Sequence, residues 1–297
     1  MTDRPALHIV FTMDCDVVAL KRSARDVPHS WEQSARAIEG YCNRLLAAGF
    51  PPTLFVSHEA AAEHTPLLEE LAGRGVELGL LLHPPMMELG RFSRNLGEYD
   101  AEEQRLIADY AAERFADAIG VRPRSVRSGK HSANDATFKV LYDLGFRQGS
   151  ISRPGWDVPR FAARWHGAHP DAHYVHPADR LRPGDLPFFE LPLSTDPSHR
   201  FLDGMPIELT VDSGAVDAVH RPVIEARLAA MEAGALAFRA LCLSTSSRPD
   251  YYADTDQHTR TLEALIDELG ALSSQYTIVP TTLAGAHERF RRTRIED

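Results

Sequence analysis

What most constrains this 297-residue chain is a regular alternation of short apolar β-type runs with longer helical segments. Residues 7–13 form a β-rich run. Residues 31–48 then place Trp31, Ala35, Ile38, Leu45 and Leu46 at helical spacing. Ser30 with Gln33 writes a capping box at the start of that helix, and Gly49 writes its end. The spacing predicts a strand over 53–56, a helix over 66–72 and an apolar, buried-type strand over 76–82. Asp100 with Glu103 opens the next helix, which turns Ile107, Tyr110, Ala111, Phe115 and Ile119 inward before Gly120 stops it.

The rhythm continues with a strand at 124–127, a helix at 134–144 closed by Gly145, and a strand at 148–151. Strands at 207–211, 238–243 and 276–279 then alternate with helices at 218–231 and 259–269. Strands separated by helices pair in parallel, and about seven such units predict an α/β fold closing into a distorted TIM-like barrel. Residues 152–205 break the pattern with Pro154, Pro159, Pro170, Pro177, Pro183 and Pro187. They read as an irregular excursion over a barrel mouth, within a single domain spanning 1–297.

Acidic residues outnumber basic ones by 42 to 32, for a formal charge of −10, which argues against a protein built to hold phosphate backbones. Cys15, Cys42 and Cys242 make neither a disulfide framework nor a zinc-binding pair, so a reducing compartment is expected. The first residues lack a basic start and a long apolar run, and no stretch approaches the roughly 18–20 apolar residues of a membrane span. These features predict a cytoplasmic protein with no nucleic-acid or membrane partner.

In a parallel barrel, chemistry sits on the loops that follow the strands. Those positions hold Asp14 and Asp16 after the first strand, His58 and Glu59 after the second, and His83 after the third. Arg127, Lys130 and His131 follow the fourth. If 14–16 stays extended, the two carboxylates share a face and Cys15 points the other way. Such a pair suits metal binding or acid–base work, and solvated loop acids are the plain alternative. Lys130, His131 and His58 are candidate substrate contacts, and Trp165 could offer a stacking surface, although core packing is its default role.

Four segments in order resemble the polysaccharide deacetylase family, carbohydrate esterase family four. They are Thr12-Met13-Asp14-Cys15-Asp16, Pro52-Thr53-Leu54-Phe55-Val56, Gly75-Val76-Glu77-Leu78-Gly79 with His83-Pro84, and Arg127-Ser128-Gly129 running on to Leu144-Gly145-Phe146. The likeness covers residues 7–151 well and the remainder loosely. It implies a distorted (β/α) barrel, a small-molecule or saccharide-like substrate, and a divalent metal such as zinc, whose bound water attacks an N-acetyl or similar amide. By position, Asp14 would be the base, Asp16 and His83 metal ligands, and Arg127 the residue that steadies Asp14.

The departures from that pattern bear on chemistry. Relatives tend to carry two histidines after the third strand, where this chain has Leu80-Leu81-Leu82-His83. They also tend to carry a histidine after the last strands, where this chain has Leu243-Ser244-Thr245-Ser246-Ser247. Catalytic zinc takes three protein ligands, and Asp16 with His83 supplies two. A third would have to come from His58, Glu59, His131, His173 or His176. The expectations that remain are a deacetylase-like hydrolase of an amide-type C–N bond, a metal-free acid–base enzyme on the same scaffold, and a non-catalytic binding protein.

Overall fold

The computed structural model describes residues 4–18, 27–89, 91–201 and 204–296. The first part runs β1 (Ala6–Cys15), α1 (Trp31–Ala47), β2 (Thr53–Val56), α2 (His58–Glu63), α3 (Thr65–Gly73), β3 (Glu77–Leu82), α4 (Ala101–Ile119), β4 (Ser125–Ser128), α5 (Thr137–Asp143) and β5 (Gln148–Gly149). Short strands follow: β6 (Asp157–Val158), β7 (Ala163–Arg164), β8 (His173–His176), β9 (Asp179–Pro183), β10 (Leu186–Glu190), β11 (Thr195–Arg200) and β12 (Pro206–Glu208). The chain ends with α6 (Arg221–Ala233), β13 (Arg239–Leu243), α7 (Gln257–Ala271), β14 (Thr277–Pro280) and α8 (Leu283–Glu296).

Local chemistry sets several boundaries as the sequence predicts. Ser30 caps α1 by accepting the Gln33 N–H at 3.1 Å, while the Gln33 side chain accepts from His29, one residue before the cap. Asp100 and Glu103 exchange side-chain and backbone hydrogen bonds at the start of α4, and Gly120 ends that helix in the left-handed region at φ 79°. Each such cap stabilises its helix by about 1 kcal/mol.

The main sheet runs β13-β1-β2-β3-β4-β5-β10 with every neighbouring pair parallel, and β8 and β9 extend it antiparallel beyond β10. One edge of β1 is shared: β14 pairs with Ala6–Ile9 and β2 with Thr12–Cys15. The expected α/β architecture with a mostly parallel sheet is therefore present. Among the described residues no ladder joins β10 to β13. Backbone Ser194 crosses that gap by donating to the Cys242 carbonyl at 3.1 Å, and its hydroxyl accepts the Cys242 N–H at 3.0 Å.

Alternation along β1 sorts side chains into two environments. Leu7, Ile9, Phe11, Met13 and Cys15 join the large core, together with Ile38, Tyr41 and Leu45 of α1. Val10, on the other face, joins a second buried cluster with Phe55, Leu81, Phe189 and Cys242 from the strands and Leu283, Ala286 and Phe290 from α8. That enclosed face turns polar towards the end of the strand, passing from Val10 through Thr12 to Asp14.

The structure departs from the sequence reading in four places. Residues 152–205 are not irregular throughout, because they form β6–β11, and β10 is the seventh parallel strand of the main path. Its apolar Leu186, Phe188 and Phe189 are buried, and the ladder to β8 shifts register between Leu186 and Phe189, around Pro187. The strand expected at 207–211 shortens to β12 and pairs with β11 outside the main sheet. The helix expected at 218–231 starts at Arg221 after a π-helical turn at Val216–His220. Helices α2 and α8 fall where the sequence reading placed none. No helix among the described residues is long and apolar enough to cross a membrane.

Glu190, at the end of β10, is fully buried. Its Oε1 accepts the N–H of Ile151 at 2.8 Å and both the N–H and the hydroxyl of Ser152 at 2.7 Å, while Oε2 has no partner. Burial lifts this carboxyl above its ordinary value of 4.5, and the bonds from Ser152 and Ile151 and the charge of Arg127 oppose the lift. A raised folded-state pKa gives stability that is complete below the unfolded value and lost as pH rises through the folded one. Glu190→Gln keeps size and acceptor but does not ionise. Wild-type unfolding free energy should therefore fall relative to the variant between about pH 4.5 and neutrality. Denaturant unfolding across that range checks this, and a gap that stays constant with pH would contradict it.

Candidate functional site

A cavity of about 570 Å³ opens at the C-terminal ends of the strands, within the size range of small-molecule sites. Asp14, Asp16, Leu81, His83, Lys130 and His131 line it. The segment at 152–205 supplies Arg153, Trp156, Val158, Arg160, Phe161 and Leu193, so it does flank the mouth.

Asp14 is fixed from both sides of β1. Its Cα is in register with Phe55 of β2, and its N–H donates to the Thr245 carbonyl at 2.9 Å. Its carbonyl accepts the Ser247 N–H, also at 2.9 Å. The side chain then meets Arg127, which is wholly buried. Nη1 of Arg127 donates to Asp14 Oδ1 at 2.9 Å, to Thr12 Oγ1 at 2.9 Å and to Ser244 Oγ at 3.0 Å. Its Nε and Nη2 donate to the carbonyl and hydroxyl of Ser150, each at 2.8 Å, and the guanidinium lies 4.4 Å from the Phe55 ring centroid. A buried guanidinium with this many acceptors holds a carboxylate in one orientation. Arg127 bonds only Oδ1, and the Asp14 side chain keeps 27% of its exposure, towards the cavity.

The second pair lies on the same cavity wall. His83 follows β3, and its Nδ1 hydrogen-bonds Asp16 Oδ2 at 2.5 Å with both side chains buried. Asp16 Oδ1 accepts the Val17 N–H at 2.8 Å, so both carboxylate oxygens are used. Gly129, after β4, lets the His83 ring seat: a Cβ there would collide with the ring atoms of His83. As the alternation of β1 predicts, Asp14 and Asp16 share the cavity face while Cys15 is buried in the core.

Lys130 and His131 adopt left-handed backbone at φ 57° and φ 55°. Such conformations cost roughly 1–3 kcal/mol each and persist only where surroundings dictate them. Here Trp165 Nε1 donates to the His131 carbonyl at 2.8 Å, and His131 Nδ1 bonds the Ile151 carbonyl at 3.0 Å.

The structure brings Asp14, Asp16, His83, Lys130 and His131 to one cavity, with Arg127 directly behind Asp14. It does not bring His58 or Trp165 there. His58 starts α2 and packs edge-on against Tyr110 beside Glu59, because the chain turns into a helix straight after β2. Trp165 is fully buried, and its contribution is the support of His131. Residues the sequence reading did not single out include Glu208, whose ion pair with Arg153 borders the cavity beneath Trp156, and Asp212. Arg153 and Glu208 lie 55 residues apart with no shared motif, so only the fold reveals their pairing.

The donor set does not fit a resident catalytic zinc. Asp16 and His83 are bonded to one another, Leu81 lines the wall beside them, and no group of three metal-binding side chains exists among the described residues. His173, on β8, bonds the Asp171 carbonyl instead.

No family model and no curated protein matches the chain. Among solved structures it is similar to a protein assigned as a polysaccharide deacetylase from Mycobacterium smegmatis. That match has TM-score 0.62 and 18% identity, covering 99% of this chain and 93% of that one. It is similar to the Puue allantoinase at TM-score 0.62 and 15% identity, covering 98% and 91%. A third is assigned as a polysaccharide deacetylase from Pseudomonas aeruginosa PAO1, at TM-score 0.64 and 14% identity, covering 98% and 92%. The chain thus has the mixed α/β fold, with a mostly parallel central sheet, of polysaccharide deacetylases.

Gly129→Ala should displace the His83 ring from Asp16 and destabilise the protein by about 1–3 kcal/mol, the cost of overpacking a filled site. Denaturant unfolding measures this. Unchanged stability would show that the ring has room to move.

Proposed function

We propose that this protein is a deacetylase-like hydrolase that cleaves an amide-type C–N bond of a small or saccharide-like substrate. One observation carries the reading: a carboxylate held by a buried arginine and an imidazole held by a carboxylate open into the same cavity. The named activities of the structural neighbours, deacetylase and allantoinase, support it.

In this reading Asp14 takes a proton from water through Oδ2 as the water oxygen adds to the substrate carbonyl. Arg127 holds Oδ1 and keeps the carboxylate from turning away. His83 enters this step as the imidazolium, with Nδ1–H held by Asp16 and a second proton on Nε2. It gives the Nε2 proton to the nitrogen as the C–N bond breaks, and the proton on Asp14 returns to the imidazole through solvent. Lys130 offers a positive charge to the carbonyl oxygen. Positioned acid–base groups of this kind supply about 10²–10⁴-fold in rate, and a stabilised oxyanion adds about 10²–10³-fold.

A second reading is favoured by the bonding of Asp16 to His83 in place of a metal-ready arrangement. The same pairs would serve a metal-free elimination, cyclisation or isomerisation. The products separate the two, because hydrolysis alone incorporates water.

The test is acetate release from N-acetylglucosamine oligomers and ring opening of allantoin, followed in parallel. One of the two should turn over, and Asp14→Asn should lower that turnover by about 10²-fold or more with the circular dichroism spectrum unchanged. Full activity in Asp14→Asn, or no release of acid from either compound, would contradict the reading. Arg127→Lys should instead lose stability, by about 1–3 kcal/mol, because Lys cannot serve Asp14 and both Ser150 acceptors at once.

A further inference from the structure

His131 lines the cavity but has no part in the proton transfers above. Its Nδ1 lies 3.0 Å from the carbonyl oxygen of Ile151. A carbonyl oxygen only accepts, so Nδ1 carries the hydrogen, and in a neutral ring Nε2 is then a bare lone pair. Ile151 holds the ring at Nδ1, and Trp165, through the His131 carbonyl, holds the backbone turn that carries it. The left-handed backbone at Lys130 and His131 is the cost of pointing it there.

From this geometry we infer that His131 is a fixed proton-accepting recognition group, whose Nε2 takes a hydrogen bond from an N–H of the substrate. The inference rests on the hydrolase reading and narrows its substrate class. Burial, with the positive charges of Arg153, Arg127 and Lys130 close by, pushes the imidazole well below its ordinary pKa, so the ring stays neutral in ordinary buffers. An uncharged acceptor beside Lys130 matches a group that presents N–H and C=O side by side, as secondary amides and ureides do. A carboxylate or phosphate oxygen at that point would meet the Nε2 lone pair and be repelled. The buried Trp165, far too enclosed to stack on a ligand, has a use as the strut that sets this turn.

The decisive variant is His131→Asn. Asn tolerates the left-handed conformation better than other non-glycine residues. Its side-chain amide also replaces Nδ1–H towards Ile151, while nothing replaces Nε2. Full-length protein labelled with nitrogen-15 in its histidine rings should show, at pH 7, one signal set with a protonated Nδ1 and an unprotonated Nε2 that is missing from His131→Asn. N-acetylglucosamine or allantoin bound to the wild type should shift that Nε2 signal, and His131→Asn should bind the same compound about tenfold more weakly at an unchanged melting temperature. A protonated Nε2 in the spectrum, or equal binding by His131→Asn, would overturn the inference. If neither compound binds the wild type, the amide-hydrolase reading fails, and the ring spectrum still decides whether Nε2 is a bare acceptor.

Discussion

The guanidinium of Arg127 is the interaction on which the rest of the site depends. A charge this deep in the protein costs several kcal/mol in lost hydration and is tolerated only when its partners are close and complete. The partners come from four parts of the sheet: Thr12 and Asp14 on β1, Ser150 after β5, Ser244 after β13, and the Phe55 face on β2. None of these strands can shift register without leaving an unpaired donor or acceptor behind. The same bonds that hold the strand ends together therefore also keep Asp14 aimed at the cavity.

Against that fixed background the polar character of the interior rises along β1. The α8 side of the enclosed face is filled by Val10, Phe238 and Phe290, Thr12 lies among the buried hydroxyls, and Asp14 and Asp16 reach the mouth. The strand period of two is what keeps Cys15 in the core while its neighbours face the cavity. Asp16 then orients His83 much as a carboxylate orients the imidazole of a hydrolytic triad. Gly129 removes the one side-chain atom that would block the ring. The site is two oriented pairs on rigid strand ends, with a second imidazole, His131, set in place by a strained turn.

Much of this was legible in the sequence because it is carried by local periodicity. The alternation of residues 7–16 gave both the buried face and the shared face of the two aspartates. The Ser30, Asp100 and Gly120 signals marked helix ends that the structure reproduces, and the order of the Asp14, His83 and Arg127 segments set them at strand ends that converge. What escaped depends on tertiary contacts. The proline-rich 152–205 stretch hid the strand β10, because its short Leu186–Glu190 run carries a proline that a register shift accommodates. His58 sits at a strand end as a site residue would, yet the helix α2 starts there and turns it towards Tyr110. Trp165 could have been a stacking surface or a core residue; it is buried, as its default role had it, and its indole hydrogen bond makes it a support for His131. The pairing of Arg153 with Glu208 has no sequence signature, since nothing local links the two positions.

The central claim is that Asp16 and His83 serve each other as a hydrogen-bonded acid–base pair and are not two-thirds of a metal site. Elemental analysis of protein produced in zinc-supplemented medium and purified without chelator tests this most directly. The account predicts well under one equivalent of zinc per chain, because two mutually bonded side chains do not make a stable tetrahedral site. Stoichiometric zinc that is lost in both Asp16→Ala and His83→Ala would contradict it.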